Sequence, residues 1–166
     1  IAWRLRYVDE PASKVVLTGM HTCANCHSFS RDGRTLGLDL DGPHNDKGLY
    51  ALMPIATHST IRNDNVISWK KFRNQVENGK RIGFVSQVSP DGRAVATTTE
   101  VSYCVANFTD YRFLQVFYPT RGIVAWYNRD TGTMQALPGA DDPSYVQANA
   151  VWSPDGESLV FARAPA

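Results

Sequence analysis

Short apolar segments alternate with polar turns along most of the chain, and three of the turns share one pattern. Residues 29–38, 88–97 and 152–161 each contain an apolar residue, Ser, Pro or Arg, Asp-Gly, one or two polar residues and a second apolar stretch. Asp-Gly between two extended segments is a strong hairpin signal, because glycine accepts the positive φ of a tight turn. The pattern therefore predicts three strand–turn–strand units and an all-β fold.

The segment between the first two units departs from this β pattern. Its apolar residues fall roughly on one side of a helix, namely Ile67, Trp69, Phe72 and Val76. Asn78-Gly79 follows them, and such a pair commonly ends a helix. We therefore expect a short helical insertion within residues 60–81.

A turn-rich loop at residues 41–48 separates two predicted strands at 36–40 and 49–55. Three carboxylates in this region raise the alternative of a calcium site: Asp39, Asp41 and Asp46. Their spacing does not match an EF-hand loop. A solvated turn is the favoured interpretation.

The composition is that of one ordinary globular domain. The chain has 166 residues, of which 43% are hydrophobic and 20% charged, with a formal net charge of +1. This balance gives no argument for a nucleic-acid partner. No apolar run approaches the ~18 residues that span a bilayer, so we expect no transmembrane segment. The chain begins at Ile1, and we expect no signal peptide within it.

The distinctive chemistry lies in residues 21–27, His-Thr-Cys-Ala-Asn-Cys-His. Cys23-x-x-Cys26-His27 has the spacing of a c-type haem attachment site. Two thiols three positions apart form thioethers with the vinyl groups of the porphyrin, and the histidine that follows is the proximal iron ligand. The sequence therefore predicts one covalently bound haem c, with an attachment segment at residues 20–33.

Two other chemistries fit the same residues less well. A structural zinc site usually joins two separated ligand pairs, whereas the possible ligands here crowd into seven residues. A redox dithiol expects a βαβ setting, which the flanking sequence does not suggest. Cys104 lies in an apolar, strand-like run, and we expect it to be a buried, inert thiol.

The distal iron ligand does not follow from the motif. Methionine or a second histidine could occupy the position, and methionine gives the higher reduction potential. The available side chains are Met20, His21, His44, Met53, His58 and Met134. Met53 and His44 both follow the motif within the same hairpin region, and of these two we narrowly favour Met53.

The haem motif also predicts where the protein works. Haem is attached to Cys-x-x-Cys-His outside the bacterial cytoplasm, so we expect a periplasmic location or one on the extracellular side of a bacterial membrane. The precursor is then expected to carry the export signal.

The three turns resemble a known repeat. Their glycines recur at intervals of about 60 residues, which favours a β-propeller array. Ser-Pro-Asp-Gly followed by an apolar strand resembles the blade signature of TolB-type, WD-like propeller repeats. Residues 122–137, with a turn at 129–132, resemble the hairpin that precedes it in such blades. The first copy departs from the pattern, because it has Arg31 in place of proline. It directly follows the haem motif, and in this the chain is similar to the haem-bearing TolB-like propeller proteins of bacteria, in which a c-type haem motif leads into a blade hairpin.

The resemblance implies a partial propeller over residues 1–166, belonging to a longer chain or assembly, with blade-like hairpins near 29–55, 82–106 and 122–164. It implies a monohaem cytochrome unit that transfers electrons rather than an enzyme. Its partners would be redox proteins, subunits of a larger electron-transfer complex, or further propeller blades or chains. Two alternatives stay open: a propeller scaffold in a larger redox or membrane complex, and a haem enzyme or sensor with an open iron position.

Overall fold

The computed structural model describes residues 2–20, 24–42, 46–74, 83–110 and 115–166, and its strands form three sheets. The first sheet pairs β1 (Trp3–Leu5) with β2 (Lys14–Leu17). The second has four strands in chain order: β3 (Ala24–Phe29), β4 (Thr35–Gly42), β5 (Asp46–Pro54) and β6 (Val66–Ser68). The third contains β7 (Phe84–Val88), β8 (Ala94–Asn107), β9 (Gln115–Asn128), β10 (Thr133–Ala136), β11 (Tyr145–Trp152) and β12 (Leu159–Pro165).

The strands of the third sheet lie in the order β12-β11-β9-β8-β7, and β10 pairs with the edge of β9 opposite β8. β11 joins β9 through a single parallel pair, Val146 with Gly122, and the other pairings are antiparallel. The described residues are mostly strand, and their helical segments are two short 3₁₀ turns, Asn63–Asn65 and Trp69–Asn74. The expectation of an all-β protein is therefore confirmed.

The helix expected within residues 60–81 is wrong for the described part of that range. Val66–Ser68 is a strand, β6, which pairs antiparallel with β5. Ile67 and Trp69 are both buried, and their spacing of two residues is that of a strand that buries one side. The backbone of Arg73 is left-handed, which interrupts helical geometry there. Val76 and the expected helix end at 78–79 lie outside the described residues.

The four-stranded sheet buries both of its faces. One, the outer face, carries Leu38, Leu40 and Ala51 and is covered by Trp3, Leu17 and Met20. The other, the inner face, carries Tyr50, Leu52 and Ile67 and packs against Val88 and Val95 of the second hairpin. Successive residues of a strand point to opposite faces, so burial of both faces explains why β5 is a continuous apolar run from Leu49 to Met53.

Each Asp-Gly turn joins two antiparallel strands, namely β3 with β4, β7 with β8, and β11 with β12. The turns also share one set of hydrogen bonds. In the first, the Ser30 hydroxyl donates to Asp32 at 2.6 Å, and the amides of Arg34 and Thr35 donate to Asp32 and Ser30. The same bonds occur around Ser89 and Ser153. The sequence repeat is therefore a structural repeat.

A second shared feature lies seven residues before each turn glycine. Cys26, Val85 and Asn149 occupy equivalent positions, and their φ angles are 47°, 54° and 57°. The strand register shifts at each of these positions, which marks a β-bulge, an extra residue that re-aims nearby side chains. The second motif cysteine therefore stands at a bulge that all three hairpins contain.

Candidate functional site

The predicted haem site maps to the beginning of the first hairpin. Cys26 and His27 lie in β3, whereas Cys23, His21 and His44 lie outside the described residues. Asn25 pairs with Asp39 and His27 pairs with Leu38, so Cys26 is the extra residue of the bulge. A non-glycine residue with left-handed backbone carries a cost of order 1–3 kcal/mol, and such positions cluster at functional sites.

The His27 imidazole is exposed and lies between two aromatic rings. Its ring centroid is 4.7 Å from that of Trp3 and 5.6 Å from that of Phe29, with Phe29 edge-on. Because His27 pairs with Leu38, its side chain belongs to the outer face. Trp3 comes from β1 and Phe29 from β3 itself, so contacts from two sheets orient the ring. The sequence interpretation had not included Trp3 or Phe29, although the two-residue step from His27 to Phe29 is the strand signal that relates them.

Comparison of the three hairpins explains why His27 is accessible. Its equivalents are Ser86 and Ala150, which are 0% and 2% exposed. Ser86 bonds to the first hairpin, and Ala150 packs against Ala96 of the second and against Val124 of β9. This position therefore faces the preceding hairpin in the second and third units. In the first unit it faces the side covered by β1 and β2, where an imidazole can reach a bound group.

The structure separates the possible distal ligands by face. Met53 shares the outer face with His27, because it pairs with Leu36, which pairs with Phe29. Strands are ~4.8 Å apart and residues rise ~3.3 Å, so the Cα atoms of His27 and Met53 are about 12 Å apart. Met53 is buried, and Met20 also packs on the outer face.

Met134 and His58 are placed differently. Met134 packs against the inner-face cluster and against Phe72 and Ile123, on the other side of the sheet from His27. His58 is exposed in the loop after β5. Among the described side chains, Met53 and Met20 are therefore the ones that the fold brings to the face of His27. Cys104, which we expected to be buried, is exposed, and this expectation is wrong because its strand extends past the core.

A buried polar network lies between the first two hairpins, next to the bulges. Asp39 accepts hydrogen bonds from the backbone amide and the hydroxyl of Ser86 at 3.1 and 2.8 Å, and the Ser86 hydroxyl bonds to Thr97 at 2.9 Å. Burial raises the pKa of Asp39 to about 7, although the bonds from Ser86 oppose the shift. The solvated turn favoured for this aspartate is therefore wrong: the carboxyl group is largely buried and joins two hairpins.

Two tyrosines surround the same network. The Tyr50 hydroxyl bonds to Ser28 at 2.8 Å, and Ser28 also accepts the amide of Val88 at 2.9 Å. Burial raises the pKa of Tyr50 and of Tyr103, and the nearby Asp39 and Cys26 raise both further. Ionisable groups of β3, β4, β5 and β8 therefore converge beside Cys26, an arrangement that only the packing of the hairpins creates.

The raised pKa of Asp39 predicts a stability that falls with rising pH. The folded state binds the proton more tightly than the unfolded chain, whose aspartate titrates near 3.8. The stabilisation is complete below this value and is lost as the pH rises to about 7. We expect Asp39→Asn, which keeps an acceptor oxygen, to gain stability relative to the parent protein by roughly 2–4 kcal/mol between pH 4 and 8. Urea unfolding at a series of pH values measures this difference.

The matched control is Asp64→Asn, at an exposed aspartate in the first 3₁₀ turn. It should leave the pH dependence of the unfolding free energy unchanged. If the difference between Asp39→Asn and the parent protein stays constant over this range, the carboxyl does not titrate as the buried geometry requires.

In the described ranges, no three His, Cys, Asp or Glu side chains come together as a metal-ion site. None of the described helices is long and apolar enough to cross a membrane. No protein-family model matches the chain, and no curated protein matches its sequence.

Proposed function

We propose that this chain is an extracytoplasmic c-type cytochrome unit that transfers electrons. Cys23 and Cys26 would hold one haem through thioethers, and His27 would be the proximal iron ligand. The observation that carries the proposal is the motif itself, because thiols three positions apart followed by histidine are what covalent haem attachment requires. When bound, the haem supplies a one-electron ferric–ferrous couple.

The described residues fit such a group on the outer face. The exposed His27 ring stands at the margin of an apolar wall of Leu38, Leu40 and Ala51, which Trp3, Leu17 and Met20 cover. Cys26 lies at a bulge, where two successive residues oppose one on the partner strand, so its side chain is released from strict alternation with His27. The wall would exclude water, and a less polar surrounding changes the reduction potential.

Individual side chains have separable roles in this proposal. Trp3 and Phe29 both contact the imidazole ring and would orient its plane. Met53 is the preferred distal ligand, since it lies on the same face as His27, and His44, which lies outside the described residues, is the alternative. For Met53 to reach a metal it must turn out of its buried position, so ligation and local repacking would occur together.

We further propose that the three hairpins are blades of a TolB-like propeller. The shared turn bonds and the shared bulge support this assignment, since each unit repeats the geometry of the last. In the distal half of β8–β9, Val105 and its cross-strand partner Phe117 lie on one face of the sheet and are both exposed. Exposed apolar side chains that adjoin one another are typical of protein–protein contacts, which supports docking to a redox protein or a subunit of a larger electron-transfer complex.

The test is the visible spectrum of the protein exported to a periplasm that attaches haem c. We expect a sharp reduced α-band of c type that survives acid extraction, because thioethers do not release the porphyrin. A low-spin, six-coordinate iron in both redox states supports the electron carrier. A high-spin iron would replace it with a ligand-binding haem enzyme or sensor, and a colourless protein would overturn the haem assignment.

A further inference from the structure

The three Asp-Gly turns come together at one end of the hairpins and form a groove between them, here called the hub groove. The amide of Arg31 in the first turn donates to the Pro90 carbonyl of the second at 2.8 Å. The guanidinium of Arg31 reaches the Pro154 carbonyl of the third at 3.5 Å. The groove is therefore a product of all three repeats.

Equivalent positions of the repeats line this groove. Phe29 and Trp152 form two aromatic walls, and Pro90 and Pro154 form its apolar rim. The Trp152 indole donates to the Gln87 carbonyl at 3.0 Å, which holds the ring in place. Phe29 and Val151 are 51% and 57% exposed, so apolar surface in the groove is left in contact with solvent.

Arg31 gives the groove its charge. The second and third turns have proline at this position, and proline could not make the bond from Arg31 to Pro90 because it lacks the N–H. That bond explains why the residue at position 31 is not proline, but it does not explain why the residue is arginine. Of the side chains that line the groove, Arg31 is charged and none is acidic.

The carboxylate of Asp155, which attracts Arg31, has other partners. Asp155 is attracted to Arg31, but this attraction is the smallest of the causes that lower the pKa of Asp155. Its carboxylate accepts the Ser153 hydroxyl and the Glu157 amide within the third turn. The guanidinium is therefore available to a bidentate acceptor from outside, and carboxylates suit its planar donors.

We propose that the hub groove binds a small carboxylate that carries one flat apolar ring. The groove has a volume of about 220 Å³, below the ~300–1,000 Å³ of sites for drug-sized ligands, which limits the ligand to about one ring and a short chain. The ring would pack between Phe29 and Trp152, and the carboxylate would pair with Arg31. This site does not depend on haem, because none of its ligand contacts involves the attachment motif.

The experiment titrates the purified protein with 3-phenylpropionate and follows the Trp152 indole N–H by ¹⁵N-correlated NMR, assigned with Trp152→Phe. We expect a saturable shift of this signal. Arg31→Gln should weaken binding by about tenfold or more, because it removes a charge-assisted pair, and Arg31→Lys should recover part of the affinity. The uncharged 3-phenylpropionamide should bind about tenfold more weakly than the acid.

Arg34→Gln is the matched control. Arg34 lies in the same turn, its side chain is 87% exposed, and it does not line the groove, so the affinity should stay unchanged. Equal affinity for acid and amide, equal loss in both arginine variants, or no shift at Trp152 would each overturn the proposal. Repeating the titration on Cys23→Ala/Cys26→Ala separates this result from the haem assignment, since the site should bind in both proteins.

Discussion

Alanine at both Cys23 and Cys26 is expected to leave the exported protein without covalently bound haem, while alanine at Cys104 leaves the haem in place. The two motif thiols are the atoms that would form thioethers, and loss of both leaves no bond that resists acid extraction. Cys104 is also a cysteine and is exposed, but it lies in β8, far along the chain from His27. The measurement is the haem absorbance that stays with the polypeptide after acid extraction.

The single variant Cys26→Ala adds a finer test. One thioether through Cys23 would remain, and the unreacted vinyl group would stay conjugated with the porphyrin. We expect a reduced α-band shifted to longer wavelength, at lower yield. Equal haem content in the double variant and the parent protein would contradict attachment through this motif, and loss of haem in Cys104→Ala would implicate a different thiol.

Gly37→Ala should strongly destabilise the first hairpin. Gly37 lies in β4, and a Cβ atom there would overlap the hydroxyl and ring of Tyr50. Tyr50 is completely buried and bonds to Ser28, so its ring cannot move aside without breaking the contact with the second hairpin. Overpacking of this kind costs ~1–3 kcal/mol and sometimes more. Because neither the backbone at residue 37 nor the Tyr50 ring can move away from the added Cβ atom, we expect the free energy of unfolding in urea to fall by about 3 kcal/mol.

Two comparisons isolate the steric cause. Gly139→Ala adds a Cβ that meets no atom within 4 Å at a left-handed position, so it should cost only ~1–2 kcal/mol. The double variant Gly37→Ala/Tyr50→Phe removes the hydroxyl that overlaps most, and its loss should be smaller than the sum of the single losses. Strict additivity would show that the clash with Tyr50 is not the source of the instability.

Haem attachment and the hub groove make independent predictions for this protein. Phe29 is their one shared residue, since it contacts His27 and lines the groove. A ligand packed against Phe29 would therefore alter the surroundings of the imidazole. In a haem-bearing protein, 3-phenylpropionate should shift the reduction potential only if both proposals hold.

Local signals were sufficient for the hairpins. Asp-Gly predicts a turn because the glycine takes a positive φ, and Gly33, Gly92 and Gly156 have φ angles of 66°, 74° and 79°. The serine and aspartate that precede each glycine bond to the same turn. Interactions within about five residues decide these structures, so the sequence alone predicts them.

Local signals failed where distant strands competed for a segment. Ile67, Trp69 and Phe72 fit a helix side by their spacing, but pairing of β6 with β5 satisfies the backbone and buries Ile67 and Trp69. The partner strand β5 lies more than ten residues earlier in the chain, so no pattern inside the segment itself indicates that this pairing will form. Asp39 was misjudged for the same reason, since its partner Ser86 lies in another hairpin.

For this protein, the sequence by itself determined the β class, the three equivalent turns and the cysteine–histidine motif, because each depends on covalent spacing or on bonds between near neighbours. The tertiary structure alone decided that His27 is exposed between Trp3 and Phe29, that Met53 shares its face while Met134 does not, and that Arg31 meets Trp152 in one groove. These relations join residues that are far apart in sequence, and only the pairing of strands and the packing of hairpins determine which of them meet.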